Sequence, residues 1–484
     1  MKFSDINWGS DEAKNDENLR EYFFEFPRFN NLKNGTYRYV IGRKGTGKTA
    51  VIERIKQFAE DDPLAFYSML SLRDFPIQDL RSLRDASYRD KAQFVPIWQF
   101  LIYIEICKLI LRDESISNID TIKELKEFLD INNLLNSLGF SETVKNLKQT
   151  NSKLSILAKW IGAEKAKSDT KEQITSIHYN KIVKILEEKI CTINTDCEFW
   201  IFIDELDEGY KAGDQNLRLL LLALLRAVED TTLYLSKKSI KFRPLLVLRS
   251  DIFDSLEDND LNKLDDYILR LKWTSEDTVS TGGVFLLKEV ISARIHNSLP
   301  NKNWDSIVQD KDDNLPPKTS TTWKYIANRT FERPRDIIKF LKFCSEAFIY
   351  DNKYHNKLTF NEVKNAENRY SDWLYKELRD EIQAHLPCWK EAFQCLTSIG
   401  KGRFPKSMLD ELLEKNIEIK KWLNSNNKNT NDIIELLFDF GIVGNLDNKG
   451  RWLFKYKDED LSWSEDMDLI IHFGLHRKLR IKQA

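Results

Sequence analysis

The 484-residue chain is poor in cysteine, and its cysteines lack the spacing that metal sites and disulfide frameworks use. The six cysteines are scattered, and none forms a Cys-x-x-Cys pair. This pattern excludes a disulfide scaffold and a zinc site built from paired cysteines, and it is typical of a reducing compartment. We therefore expect a cytoplasmic protein. The cysteines are Cys107, Cys191, Cys197, Cys344, Cys388 and Cys395.

The chain also lacks an excess of charge of either sign. It has 74 basic and 76 acidic residues and a net charge of −2, so we expect no global attraction to nucleic acid or to membranes. Long apolar runs and an N-terminal signal core are missing as well. The most apolar segments, 95–111 and 217–228, contain charged residues and are too short to span a bilayer. We predict that both are buried helices and that no membrane is a partner.

The chain does contain a complete P-loop pattern at residues 42–49, Gly-Arg-Lys-Gly-Thr-Gly-Lys-Thr. The segment 37–41 before it predicts a buried strand, and Val51, Ile52 and Ile55 after it share one face of a predicted helix. A strand, a glycine-rich loop and a helix in this order are the context in which the pattern binds phosphate. The alternative, a surface turn rich in glycine and lysine, leaves the flanking strand and helix unexplained.

Each required residue of the P-loop has a chemical role. Glycines let the backbone approach a phosphate and turn its N–H groups inward, and the helix start adds its positive dipole end. Lys48 is expected to reach the β- and γ-phosphates, and the Thr49 hydroxyl is expected to bind Mg²⁺. ATP and Mg²⁺ are therefore the predicted cofactors, although the loop does not distinguish ATP from GTP. Arg43 and Lys44 are not required by the pattern, and solvated loop charges are the alternative for them. The predicted nucleotide-binding residues are Gly42, Arg43, Lys44, Gly45, Thr46, Gly47, Lys48, Thr49 and Ala50.

Strands and helices alternate between residues 37 and 273, which predicts an α/β fold with an open parallel sheet of the P-loop NTPase type. Beyond about residue 276 the pattern is helical, and the segment after Pro387 combines three helices with a hairpin, as in a winged helix. We expect the N-terminal lead-in to pack against the sheet. The predicted parts are a lead-in at 1–36, a P-loop ATPase domain at 37–275 with a helical insertion at about 113–170, a helical lid domain at 276–386 and a winged-helix domain at 387–484.

A continuous apolar run at 199–203 predicts a strand buried on both faces, and it ends in Asp204-Glu205. An acid at this point of a P-loop protein holds Mg²⁺, and we assign that role to Asp204. Glu205 is the first choice for the general base that polarises the attacking water. Asp207 and Glu208 crowd the same stretch and stay open as alternatives for the base. A solvated acidic loop is the alternative for the whole stretch.

Two arginines join Lys48 and Glu205 as catalytic candidates. Arg249 ends an apolar strand, where it would stabilise charge that develops on the transferred phosphoryl group. The alternative for Arg249 is an ordinary salt bridge at a strand end. Arg333 and Arg335 lie at a predicted helix start beyond the sheet domain, where an arginine would sense the γ-phosphate and couple it to a domain movement. Only the family resemblance described below favours Arg335 over Arg333. The alternative for Arg335 is a charged helix start without function.

The predicted winged helix gives mixed signals for DNA binding. Its third helix, 432–440, carries three acidic residues, which would repel phosphates, whereas basic residues lie on the hairpin at 442–456 and in the tail at 476–482. DNA binding through this domain and packing against protein both stay open. His472 and His476 lack a third ligand and are interpreted as surface histidines rather than as a zinc site.

The motifs described above, taken in their order along the chain, resemble those of STAND/AAA+-type P-loop ATPases. In particular, the chain is similar to bacterial origin-recognition-complex-like ATPases, several of which belong to antiphage defence loci. The resemblance covers most of the chain and implies that Arg249 is a sensor-1 arginine and that Arg335 is a sensor-2 arginine. A separate arginine finger has no matching position. The motifs that carry the resemblance are Ile41–Thr49, Ile203–Asp207, Leu248–Phe253, Arg333–Asp336 and Ile471–Leu475.

The same resemblance leaves the base open. Asp204, Asp207 and Glu208 resemble the extended Walker B motif of NACHT proteins, whereas Glu205 matches the general AAA+ pattern.

These features together predict a Mg²⁺-dependent ATPase that hydrolyses ATP slowly and acts as a nucleotide-gated conformational switch. A role in antiphage defence is implied by the resemblance alone. The expected partner is a protein effector or further subunits, including copies of this chain. Two alternatives remain: an ATP-dependent DNA-binding protein of replication-initiator type, and a scaffold with a permanently bound nucleotide.

Overall fold

The computed structural model describes most of the chain. Three predicted features fall partly or wholly outside the described residues: the insertion at 113–170, of which 151–170 are not described, and the alternative bases Asp207 and Glu208. The described residues are 2–73, 75–84, 88–150, 171–206, 214–256, 258–273, 286–317, 319–351 and 356–482.

The chain divides into two compact units. The sheet unit comprises Pro27–Lys44 and Lys48–Leu271. The helical unit comprises Met1–Phe26, Gly45–Gly47 and Lys272–Ala484, so it includes the middle of the P-loop. The finer domain boundaries inferred from the sequence stay predictions.

Five parallel strands form the core of the sheet unit, in the order β2-β3-β4-β1-β5. All four residues of β1 and the last six of β3 are buried, which is typical of a parallel sheet covered on both faces. The predicted α/β fold with a parallel sheet is confirmed. The strands are β1 (Tyr39–Gly42), β2 (Ala65–Ser71), β3 (Glu198–Asp204), β4 (Lys241–Arg249) and β5 (Ile268–Arg270).

Helices surround this sheet. The two apolar segments predicted to be buried helices lie in the helices Val95–Ile110 and Gln215–Ser236, and the indole N–H of Trp98 joins them by donating to the Leu220 carbonyl at 3.0 Å. Within the described ranges, no helix has both the length and the apolarity needed to cross a membrane. The α-helices of the sheet unit are Phe29–Lys33, Lys48–Asp61, Ile77–Ser82, Val95–Ile110, Ile119–Ile131, Gly139–Thr150, Lys171–Ile190, Gln215–Ser236 and Ser250–Asp254, with 3₁₀ helices at Asp90–Gln93 and Leu261–Tyr267.

The helical unit is built around two long antiparallel-packed helices, Pro334–Asp351 and Phe360–Ile382. Phe340 and Tyr370 stack between them with ring centroids 4.5 Å apart. The α-helices of this unit are Leu19–Tyr22, Leu286–Ser298, Trp304–Ile307, Thr322–Ala327, Pro334–Asp351, Phe360–Ile382, Trp389–Ile399, Lys406–Lys415, Ile417–Asn426 and Thr430–Asp439, with 3₁₀ helices at Phe3–Asp5, Ala13–Asn15 and Phe473–Leu475.

The C-terminal part of the helical unit contains a four-stranded antiparallel sheet rather than only the predicted hairpin. Its order is β6 (Arg403–Phe404), β9 (Asp468–Ile471), β7 (Val443–Leu446) and β8 (Trp452–Leu453). The hairpin is present as β7 and β8, but its second strand is shorter than predicted. The sequence analysis missed β9 because this segment forms a strand only by pairing with β6 and β7, which are remote from it in the sequence.

The predicted packing of the lead-in against the sheet is wrong for residues 1–26. This segment packs within the helical unit, where Phe3 lies 6.0 Å from Phe348 between ring centroids and Asp11 accepts from Lys339 at 2.6 Å. In the remainder of the lead-in, Phe29 packs against Phe58 of the helix Lys48–Asp61, with ring centroids 6.3 Å apart.

The interpretation of His472 and His476 as surface histidines is also wrong. His472 is fully buried and His476 is 6% exposed. The Nδ1 atom of His472 accepts the Gly474 N–H at 3.1 Å, and burial holds the pKa of this histidine well below its usual value. Both rings serve the packing of the C-terminal tail, and no metal-binding group of three or more ligands is found among the described residues.

Candidate functional site

The P-loop follows β1 directly and ends where the helix Lys48–Asp61 begins. Gly45 and Gly47 have φ angles of +81° and +96°, a region in which a side chain is strained. A Cβ atom at Gly45 would lie 3.3 Å from the Cβ of Arg335, whereas one at Gly47 would meet no atom of the described residues within 4 Å. The loop therefore needs glycine at both positions, and space remains open at Gly47.

The Lys48 ammonium group lies over the loop that precedes it. Its Nζ atom donates to the carbonyl oxygens of Gly42 at 2.8 Å and Arg43 at 3.0 Å. These bonds hold a positive charge at the start of the helix, where the helix dipole also favours anions. Lys44 and Ala50 are half-buried neighbours in the same stretch.

Thr49 and Asp204 are brought together by the sheet. The Thr49 hydroxyl donates to Oδ2 of Asp204 at 3.2 Å, and Oδ1 of the same carboxylate accepts the Glu205 N–H at 2.8 Å. Asp204 is only 5% exposed. A hydroxyl and a carboxylate side by side are oxygen donors that suit Mg²⁺, which takes few protein ligands and completes its shell with water and phosphate. The residues present therefore fit this ion.

Glu205 takes an unusual backbone conformation and has a partner that sequence reasoning missed. Its φ angle is +61°, which costs a residue with a side chain about 1 kcal/mol. The hydroxyl of Ser71 donates to Oε2 of Glu205. Ser71 ends β2 and stands opposite Asp204 in the β2–β3 register. The available signal was a polar residue at the carboxyl end of the strand next to the acidic one.

Arg249 lies at the carboxyl end of β4, opposite Gly42 of the P-loop in the β1–β4 register. Its guanidinium group binds Asp251 through two hydrogen bonds, Nε to Oδ1 at 3.0 Å and Nη2 to Oδ2 at 2.7 Å. The side chain is thus at the edge where the P-loop leaves the sheet, with a carboxylate partner two residues along the chain.

The middle of the P-loop has contacts within the helical unit. The Arg335 N–H donates to the Gly45 carbonyl at 3.4 Å, and the Trp273 indole N–H donates to the Thr46 carbonyl at 2.8 Å. The Arg335 guanidinium pairs with Glu377 at 3.0 Å, and the Arg335 side chain is 32% exposed. Sequence reasoning found Arg335 but missed Trp273.

Arg333, two residues before Arg335, is enclosed in the helical unit by two carboxylates. It is buried and pairs with Asp336 at 2.9 Å and with Glu381 at 3.5 Å. Burial by itself would lower the pKa of Arg333, but the two carboxylates outweigh this effect and raise the pKa above its usual value. Of the two arginines in this motif, Arg335 is therefore the one whose side chain is partly exposed.

Many basic residues considered for DNA contact are in ion pairs inside the helical unit. On the hairpin, Arg451 binds Asp447 at 2.6 Å. In the tail, Arg477 donates to the buried Glu367 at 2.9 Å. Lys478 of the tail pairs with Asp372 at 2.6 Å, and two basic residues near the start of the predicted winged helix are also paired, Arg403 with Asp468 at 2.9 Å and Lys406 with Asp410 at 3.2 Å. The tail is thus anchored to the helix Phe360–Ile382.

Comparisons with known proteins give three similarities. Residues 286–379 match the family described as the FunZ-associated C-terminal helical domain, which covers the segment containing Arg333 and Arg335. Over 96% of its length the chain is 23% identical to the "Putative transposon gamma-delta 80.3 kDa protein" of Escherichia coli (strain K12), and it spans 66% of that relative. The solved structure of Cdc6p from Pyrobaculum aerophilum aligns with 96% of this chain and 92% of its own, at 11% identity and a TM-score of 0.30.

Proposed function

We propose that this protein is a Mg²⁺-dependent ATPase that works as a nucleotide-gated conformational switch. The observation that carries the proposal is the hydrogen bond between Thr49 and Asp204, which lie 155 positions apart in the sequence. A chance match to the P-loop pattern would not place its threonine against a buried acid at the end of a neighbouring strand. The pair supports a shared metal-binding role in nucleotide hydrolysis.

Phosphate binding is assigned to Lys48 and the loop amides. When a triphosphate arrives, the Lys48 ammonium exchanges the carbonyls of Gly42 and Arg43 for phosphate oxygens. The ammonium–carbonyl bonds join a charge to a dipole, whereas bonds to phosphate join two opposite charges, so the exchange favours binding. The Gly47 position, where even a Cβ atom would meet nothing, leaves room for the phosphate.

Metal binding and water activation are assigned to the residues at the carboxyl end of β3 and to Thr49. Thr49 and Asp204 would hold Mg²⁺, which when bound neutralises charge on the β- and γ-phosphate oxygens. Glu205 would orient and polarise the attacking water as general base. The Glu205 carboxylate accepts a hydrogen bond from the Ser71 hydroxyl, and this bond must break before the carboxylate can accept a proton from water at that oxygen. We therefore infer that turnover is slow.

We expect Ser71→Ala to raise kcat by about fivefold, because one net hydrogen bond of about 1 kcal/mol no longer restrains the Glu205 carboxylate. Phosphate release at saturating ATP measures the effect. Ser68→Ala is the matched control: it removes a hydroxyl on the same strand that binds Glu105 at 3.2 Å. A fall in kcat for Ser71→Ala alone would show that Ser71 instead holds the base in its working position.

Arg335 supports the switch part of the proposal. Its backbone binds the Gly45 carbonyl, and its guanidinium is held by Glu377. A γ-phosphate would compete with Glu377 for this guanidinium, so the nucleotide state would change a contact inside the helical unit. On this basis, and on the order of the motifs, we assign the protein to the STAND/AAA+ type with a helical lid and a C-terminal winged helix. The effector partner and the role in antiphage defence belong to the proposal through the same resemblance.

The experiment that tests the proposal starts from freshly purified protein. The nucleotide released on denaturation is identified, and phosphate release by the native protein is then followed with and without Mg²⁺ and duplex DNA. Bound ADP and slow, Mg²⁺-dependent turnover are the expected results. An empty site that takes up neither ATP nor ADP would overturn the proposal, and ADP that never exchanges would favour the scaffold alternative.

The switch and the DNA-binding alternative predict different affinities for duplex DNA. Three basic residues of the predicted winged helix, Arg451, Arg477 and Lys478, are engaged in ion pairs. We therefore expect weak binding to duplex DNA, with a slope of log affinity against log salt shallower than about −2. Fluorescence anisotropy of a labelled duplex over a salt series measures this slope. A steep slope that is lost in the double variant Lys449→Ala/Arg451→Ala would favour the initiator-like function instead.

A further inference from the structure

A buried tryptophan supports the tip of the P-loop. The indole N–H of Trp273 donates to the Thr46 carbonyl at 2.8 Å, and both residues are buried, at 8% and 5% exposure. Phe26 packs edge-on against the indole, with ring centroids 5.9 Å apart and an interplanar angle of 80°. The donor is therefore held in place by packing as well as by its hydrogen bond.

This contact determines which way the loop amides face. In a planar trans peptide the C=O and the following N–H point in opposite directions. When Trp273 holds the Thr46 carbonyl, the Gly47 N–H must point away from the indole. The Arg335 N–H acts in the same way one peptide earlier, because it holds the Gly45 carbonyl and so turns the Thr46 N–H away.

Phosphate binding by a P-loop depends on this orientation. The loop amides bind the α- and β-phosphates through their N–H groups, so a carbonyl that rotated inward would place negative charge against the phosphate. Glycine at positions 45 and 47 makes such rotation easy, since glycine populates many backbone conformations. A loop with this freedom needs an external donor to hold one orientation.

We propose that Trp273 is a positioning residue for nucleotide binding, which fixes the Thr46–Gly47 peptide with its N–H group toward the β-phosphate. The assignment rests on the proposed function of the same loop. The assignment adds to the nucleotide-binding site a residue that is far from the P-loop in the sequence. It also predicts that the fluorescence of Trp273 reports nucleotide binding to the loop.

The test compares Trp273→Phe with Trp98→Phe in the full-length protein. Each substitution removes one buried indole N–H that donates to a backbone carbonyl, at 2.8 Å for Trp273 and at 3.0 Å for Trp98, which donates to Leu220. Both variants should lose a similar small amount of thermal stability. Only Trp273→Phe should weaken ATP and ADP binding, by about tenfold and by the same factor for both, since both carry the β-phosphate.

Two readouts separate a positioning role from a structural one. Isothermal titration gives the affinities, and steady-state kinetics should show a raised KM with a smaller change in kcat for Trp273→Phe but not for Trp98→Phe. Equal losses of affinity in the two variants, or wild-type affinity in Trp273→Phe, would overturn the assignment. If the wild type binds nucleotide normally while Trp273→Phe shows no defect, the inference fails and the proposed function stands. If the wild type binds none, both fail.

A second variant covers the case in which Trp273→Phe does not fold. Phe26→Leu keeps the indole N–H but removes the ring against which it packs. We expect ATP and ADP affinities to fall together by about threefold, because the hydrogen bond of roughly 1 kcal/mol is loosened rather than deleted. Unchanged affinities in a folded Phe26→Leu protein would overturn the assignment.

Discussion

Lys48→Ala is expected to weaken ATP and ADP binding by at least about 100-fold, since it removes one or two charge-assisted hydrogen bonds of about 1.5–3 kcal/mol each. The ammonium is held over the carbonyls of Gly42 and Arg43 and so stands where a phosphate would bind. Titration with a fluorescent nucleotide measures the affinity, and phosphate release should be lost in parallel. The melting temperature of the nucleotide-free protein should change little, because Lys48 is not part of the core.

Lys56→Ala is the matched control for this prediction. Lys56 lies on the same helix and pairs with Glu53 at 2.7 Å, so its removal changes the net charge equally without touching the P-loop. Nucleotide affinity should match that of the wild type. Equal affinities in wild type, Lys48→Ala and Lys56→Ala would mean that the loop does not bind nucleotide, and the proposed function would fall.

Glu205→Gln is expected to lower kcat by about 10²- to 10⁴-fold, the range that a positioned general base contributes, while ATP binding is kept. The glutamine side chain has nearly the same shape and can still accept the Ser71 hydroxyl, so local packing should persist. Single-turnover hydrolysis with a parallel binding measurement separates the two effects. ATP rather than ADP should then be recovered from the denatured variant.

Glu198→Gln is the control on the same strand. Glu198 begins β3, whereas Glu205 follows its last residue, and Glu198 pairs with Arg243 at 3.1 Å. Its neutralisation should leave turnover unchanged. If Glu205→Gln also turns over at the wild-type rate, the base is another acid, and Asp207→Asn and Glu208→Gln become the variants to measure.

The parts of the site that could be predicted from sequence are those that lie in one continuous stretch or at a strand end. The spacing within residues 42–49 gave the loop its chemistry, and the apolar run before Asp204 placed that acid at the edge of a parallel sheet. Thr49 and Asp204 were each assigned to Mg²⁺ binding from their place in the pattern, and the structure brings the Thr49 hydroxyl within 3.2 Å of the Asp204 carboxylate.

Contacts between remote segments were not predictable in the same way. Ser71 and Trp273 carry no motif, and each acquires its role from what it faces across the fold, Glu205 for one and the Thr46 carbonyl for the other. The packing of residues 1–26 was misjudged for the same reason. Their aromatic residues indicate burial but not which surface covers them.

The sequence by itself determined the α/β class, the parallel sheet, the P-loop pattern and the acid Asp204 that ends β3, because periodicity and residue spacing are properties of a single stretch of chain. Only the tertiary structure decided which hydroxyl binds Glu205, which indole donates to the Thr46 carbonyl, and that His472 is buried rather than exposed. These outcomes depend on packing between segments that are far apart in the sequence. Many side chains of similar polarity would satisfy the local pattern equally well, and the close-packed interior selects among them.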